Sequence, residues 1–137
     1  MAAATSRGEP CADQVEELLR GATAISNANL AEVIDLLIRV FGFPEDEVLG
    51  DLALMRDAGL DIIDVDAAIA TRAALVRSAH YGSKTSSVSL ADCVALATAE
   101  RLGYPLATAD PDLLWVSRDE MVGVHPLRDS SGRMPSG

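Results

Sequence analysis

Lysine occurs once in the 137 residues, at Lys84, tryptophan once, at Trp115, and aromatic residues make up only 4% of the chain. Basic side chains are also scarce: 11 stand against 21 acidic ones, a formal net charge of -10. A field of that sign excludes nonspecific adhesion to nucleic acid or to an anionic membrane through the molecule as a whole, though not a specific, metal-bridged RNA site. Trp115 has no basic stripe around it and reads as a packing anchor rather than a base-stacking platform. The two cysteines, Cys11 and Cys93, stand in no metal-ligand spacing and are too few for a disulfide framework, so a reducing compartment is expected. Cys93 lies on an apolar helix pattern and reads as core. There is no run of about 18 apolar residues, and the start Met1-Ala-Ala-Ala-Thr-Ser-Arg7 lacks the apolar centre of a signal peptide. A cytoplasmic protein without a membrane span is the expectation. Because Lys84 precedes Asp110, a phosphoaspartyl receiver with Asp110 as acceptor is disfavoured, since it needs a paired acidic cluster and a lysine late in the chain.

What the chain does have is a core and an alternating pattern. With 49% apolar residues it suffices for one domain, and ten of its basic residues are arginine, the type suited to bidentate contact with phosphate or carboxylate. The pattern predicts a helix from Pro10 to about Arg20, a short strand Thr23–Ser26, and a second helix from Asn29 to Phe41, broken by Gly42 and Pro44. A third helix starts after Pro44, with Glu45, Asp46 and Glu47 where the dipole favours negative charge, and ends near Gly59. Leu60–Val65 reads as a strand, Asp66 caps a helix to about His80, and a polar loop Gly82–Ser87 follows. Ser89 opens a helix ended by Gly103, and Leu106–Ala109 is a short buried strand. After Asp110 the expectation is a turn and a poorly patterned stretch through Trp115, then an edge strand Gly123–Leu127. Residues 128–137, rich in Ser, Gly and Pro, read as a disordered tail. No repeat or linker divides the chain.

Three carboxylates stand out. Asp92 follows Ser89 in a capping-box pattern, Glu32 follows Asn29 in a similar one, and Asp110 lies just past a strand. In open α/β sheets ligands collect beyond the carboxyl ends of the strands, where strand ends and helix mouths both deliver side chains. Ionised carboxylates gathered there repel unless neutralised, and such hard oxygen donors select magnesium or manganese. A plainer reading accounts for each acid singly: Glu32 and Asp92 as capping residues, Asp110 before Pro111 as a turn residue. His80 and His125 have no acid or cysteine at ligand spacing and read as surface or structural. Ser26 and Thr108 either support the acids or simply finish strands.

The order Ile25-Ser-Asn-Ala-Asn-Leu-Ala-Glu32-Val33, Ser89-Leu-Ala-Asp92, Ala99-Glu-Arg-Leu-Gly103 and Pro105-Leu-Ala-Thr-Ala-Asp110 closely resembles the PIN domain, and within it the VapC-type toxins of bacterial toxin-antitoxin modules. The resemblance covers about Glu9 to Leu127, so that residues 1–127 read as one PIN-like domain. It implies an α/β fold, a parallel sheet flanked by helices, and a magnesium-dependent ribonuclease with Mn2+ as a substitute ion. By motif, Glu32, Asp92 and Asp110 match the family's acids, in catalytic and metal-binding roles, while Asp112 matches a position acidic in only some members. RNA as substrate, a cognate antitoxin as partner and a homodimer as assembly are further implications.

One departure bears on all of this. The family begins with an apolar strand ending in an aspartate, placed in the sheet between the second and fourth strands. Met1 to Pro10 contains neither, and Glu9 and Asp13 follow no strand. The first, central strand is thus expected to be missing, leaving a gap in the sheet. Two expectations follow: that the natural reading frame extends upstream and yields an active nuclease, or that the chain is a degenerate remnant acting only as an antitoxin-binding module through its second and third helices.

Overall fold

The computed structural model describes residues 24–82, 88–108 and 110–126. The helix expected from Pro10 to Arg20, Thr23, most of the Gly82–Ser87 loop, Ala109, Leu127 and the 128–137 tail lie outside the described residues. Strand β1 (Ala24–Ser26) leads into helix α1 (Asn27–Asp35), which continues through one π turn (Leu36–Val40). Helix α2 (Glu45–Asp57) and strand β2 (Asp61–Ile63) follow, then α3 (Ala67–His80), α4 (Leu90–Leu102), β3 (Leu106–Thr108), α5 (Pro111–Asp119) and β4 (Val124–Pro126). β1 pairs in parallel with β2, Ile25 opposite Ile62, and β3 pairs in parallel with β4, Ala107 opposite His125. This is the α/β architecture expected, parallel strands flanked by helices.

The sheet is split. Among the described residues no strand joins β1 to β3, and the two pairs are those that the resemblance sets on either side of its central strand. Helix α4 touches β1 of one pair and β3 of the other, so it spans the division. Its burial explains why it can. Cys93, Leu96 and Ala97 are inaccessible or nearly so and pack with Ile69, Ala73 and Val76 of α3, while Leu113 and Val116 of α5 close the other side. Each fully buried Leu or Val side chain contributes about 1.5–3 kcal/mol. A second, smaller cluster of Phe43 and Val48 with Ile34, Leu37, Ile38 and Phe41 holds α1 against α2.

Most helix ends follow the residues that specify them. Asp66 accepts from the Ile69 amide at 2.9 Å, Ser89 and Asp92 form a reciprocal capping box, and Gly103 closes α4 at φ 69°, a left-handed conformation that glycine adopts without strain. Three expectations need correction. Helix α1 begins two residues before Asn29, because the Ser26 hydroxyl, ending β1 in extended conformation, takes the cap by accepting from the Asn29 amide at 3.0 Å. Beyond Asp35 the helix widens into a π turn, in which the Phe41 amide donates to the Leu36 carbonyl at 3.1 Å, and this keeps Leu37, Ile38 and Phe41 on the side of Phe43 and Val48.

The third correction concerns Pro111–Asp119, expected as a turn and irregular chain but folded as α5. Asp110 is its cap, accepting from the Asp112 amide at 2.9 Å, Pro111 occupies the first turn where no amide is needed, and Leu113, Leu114, Val116 and Ser117 are buried. The strands are also shorter than expected, β2 covering three residues of Leu60–Val65.

A polar network locks α3 to α5. The Arg72 guanidinium donates to Glu100 and to Glu120, each at 2.9 Å, and buried His80 holds the other Glu120 oxygen at 2.9 Å with Asp119 at 3.5 Å. Trp115, expected as a packing anchor, is 40% exposed and sets its ring edge-on to buried His80, centroids 5.8 Å apart. Hydrogen bonds from His80 and then Arg72 outweigh burial and hold the Glu120 carboxyl below its ordinary value of 4.5. A carboxylate lowered on folding stabilises fully above that ordinary value, and the contribution fades as pH falls through the lowered one. Glu120→Gln should therefore cost about 1–2 kcal/mol in urea denaturation at neutral pH, a figure kept low because Arg72 is partly screened by solvent. The deficit should shrink on titration below pH 4.5.

Candidate metal-dependent site

Of the three carboxylates singled out in the sequence, Asp92 and Asp110 sit at helix N-terminal ends. Asp92 is the third residue of α4, half-buried, its Oδ2 accepting from the Ser89 amide at 3.1 Å while its own amide donates to Ser89 Oγ at 3.1 Å. Asp110 caps α5, exposed, with Oδ1 engaged by the Asp112 amide and its own amide donating to Thr108 Oγ1 at 3.0 Å. Glu32 lies one turn beyond the start of α1 and is exposed; with Ser26 as cap, it has no capping-box role. Ser26 and Thr108, both buried at the strand ends, thus bind helix-start groups rather than the acid side chains.

One side chain joins two of these helix mouths. Asn29 donates from Nδ2 to the Ala91 carbonyl at 2.9 Å, bridging the first turn of α1 to the first turn of α4 across 62 residues of sequence. Its Oδ1 accepts from the Ser26 hydroxyl at 2.5 Å, which fixes the amide orientation. Asn27 makes the matching link to β2, accepting from the Val65 amide at 3.2 Å and donating to Asp64 at 3.3 Å. Glu32 and Asp92 are therefore carried by elements tied mouth to mouth. Among the described residues no hydrogen bond or ion pair joins Asp110 to either, and the three carboxylates do not close to within 4.8 Å of one another.

The trio that does close to 4.8 Å is His80, Asp119 and Glu120, at the C-terminal ends of α3 and α5. No spacing in the sequence announces it, because His80 and Glu120 are 40 residues apart and meet only when α3 packs on α5. Glu120 is already engaged by Arg72 as well as His80, so the trio reads as a packing network.

Chemistry narrows the options further. The Cys93 thiol, fully buried, is pushed up to about 11 by burial first and by the Asp92 charge second, so it stays protonated at neutral pH and is no nucleophile. Three carboxylates offer oxygen donors alone, the set that suits Mg2+ or Mn2+, and such ions retain several waters and take few direct protein ligands. The donor chemistry fits a hard divalent cation.

The model of the PIN domain family matches residues 1–118, a span that takes in Glu32, Asp92 and Asp110. No curated protein and no solved structure is significantly similar to the chain. PIN domains are typically nucleases, generally use divalent metal ions and bind RNA. Among the described residues no helix is long and apolar enough to cross a membrane. The parallel α/β strands, the acids at helix mouths and a family match over most of the length agree: the chain belongs to the PIN domain family.

Proposed function

We propose that the protein is a magnesium-dependent endoribonuclease, the toxin of a type II toxin-antitoxin system, acting in the cytoplasm as one domain over residues 1–127. The observation that carries the reading is the Asn29–Ala91 hydrogen bond, which sets the helix bearing Glu32 against the helix bearing Asp92. Asp110, capping α5 at the carboxyl end of β3, supplies the third acid. The roles follow from position. Glu32, Asp92 and Asp110 hold the cation, and their remaining oxygens orient a water in line with the scissile phosphodiester. A cation held there, magnesium with manganese as substitute, would supply charge neutralisation at the phosphate and a more acidic water.

The antitoxin-binding role has its own observation. The α1–α2 hairpin leaves Leu36, Val40, Leu49 and Leu54 exposed, an apolar surface of the kind that takes an amphipathic partner helix. A module retaining only that surface, without catalysis, is the second reading, and a homodimer is compatible with either.

Asp92→Asn separates the two. Asparagine keeps an acceptor for the Ser89 amide and so preserves the cap, while removing the charge. Cleavage of a labelled single-stranded RNA should fall at least about 100-fold with the melting temperature nearly unchanged. Unchanged cleavage would remove Asp92 from the site, and no cleavage by the wild-type chain would favour the binding module. Stripping the protein with EDTA should abolish cleavage and added Mg2+ restore it; hydrolysis that persists in excess chelator would rule out the metal-dependent mechanism.

A further inference from the structure

The arginines that the sequence leaves equivalent are separated by their partners. Arg39 pairs with Asp35 at 2.9 Å, Arg101 with Asp66, and Arg72 with Glu100 and Glu120. Arg56, Arg77 and Arg118 pair with no carboxylate among the described residues. Of these Arg77 stands apart because its Nε is buried without a hydrogen-bond acceptor. Its guanidinium lies 4.2 Å over the ring of Tyr81, a residue 57% exposed. A buried guanidinium N–H left without an acceptor is unfavourable in any folded protein, and no carboxylate among the described residues meets the charge of this half-buried side chain.

Placement says which anion. Arg72 pairs with Glu100 and Asp66 with Arg101, so α3 and α4 pack antiparallel, and the C-terminal half of α3, which carries Arg77, lies along the start of α4. The guanidinium thus lies on the same seam as the mouth of α4. Tyr81 adds an exposed aromatic surface one turn further on. In single-stranded RNA phosphates and bases alternate, and a cation beside an aromatic ring answers that alternation, the guanidinium taking phosphate oxygens and the ring taking a base. A partner protein's carboxylate would satisfy the cation but would leave the ring unused.

We infer that Arg77, held in place by Tyr81, binds a backbone phosphate of the RNA strand that leads into the site at Asp92. The inference rests on the nuclease reading for its substrate. It makes Arg77 a substrate-binding residue and Tyr81 a positioning one. In a molecule of net charge -10, this cation has a large share in bringing a polyanion to an acidic site.

The test uses the full 137-residue chain carrying Asp92→Asn, so that RNA is bound but not cut, with fluorescence anisotropy of a labelled single-stranded oligonucleotide over a series of salt concentrations. Adding Arg77→Ala should weaken binding about tenfold and lower the slope of log affinity against log salt by about 0.7, the value for one phosphate contact on a single strand. Arg77→Lys should keep that slope and recover part of the affinity. Tyr81→Ala should weaken binding with little change in slope. Melting curves of all variants establish that each is folded. Unchanged affinity and slope for Arg77→Ala overturn the inference, as does a parent that binds no RNA, or a loss seen only with an acidic peptide. The two readings fail separately. Wild-type chain that cleaves RNA indifferently to Arg77→Ala removes the Arg77 role alone, whereas Arg77-dependent binding without metal-dependent cleavage removes the nuclease reading and leaves this one standing.

Discussion

Helix α4 is the element on which the rest depends, because it packs on both strand pairs of a sheet that no described strand joins. Cys93, Leu96, Ala97 and Ala99 turn inward against α3, and Thr98 satisfies its hydroxyl within the helix by donating to the Val94 carbonyl at 2.7 Å. The small residues Ala73 and Ala97 allow α3 and α4 to approach closely. Since the start of α4 carries Asp92 and accepts the Asn29 bond, the packing that builds the core also positions the candidate site. Stability and chemistry are therefore coupled through one helix.

Charge is distributed in the same economical way. At the C-terminal ends of α3 and α5, buried His80 and Arg72 both engage the Glu120 carboxyl and hold its pKa below the ordinary value. At the N-terminal ends of α4 and α5, Asp92 and Asp110 accept from backbone amides. The first arrangement is closed by protein groups. The second leaves carboxylate oxygens for a ligand, and this contrast separates a packing network from a candidate cation site better than the number of acids does.

Much of this was legible in the sequence because it depends on local rules. Ser89, Asp66, Gly103 and the Glu45–Glu47 run marked helix ends through capping and the dipole, and the period of apolar residues marked α3 and α4. Two helix starts that differ from expectation also rest on local signals. Ser26 outcompetes Asn29 as a cap because it ends a strand in extended conformation, and Asp110-Pro111-Asp112 is a helix start rather than a turn. What could not be read was non-local. Asn29 reaching Ala91, His80 meeting Glu120 and Arg77 remaining unpaired are consequences of packing between elements tens of residues apart, for which spacing along the chain carries no signal.

The proposed function requires acids on three separate elements to share one divalent cation. Electron paramagnetic resonance of Mn2+ titrated into the protein tests it most directly, comparing the wild type with Glu32→Gln, Asp92→Asn, Asp110→Asn and, as a control at the other acidic cluster, Glu120→Gln. The account predicts that each of the first three weakens Mn2+ binding while Glu120→Gln leaves it intact. Binding that survives all three and is lost with Glu120→Gln would contradict it and place the ion beside His80 instead.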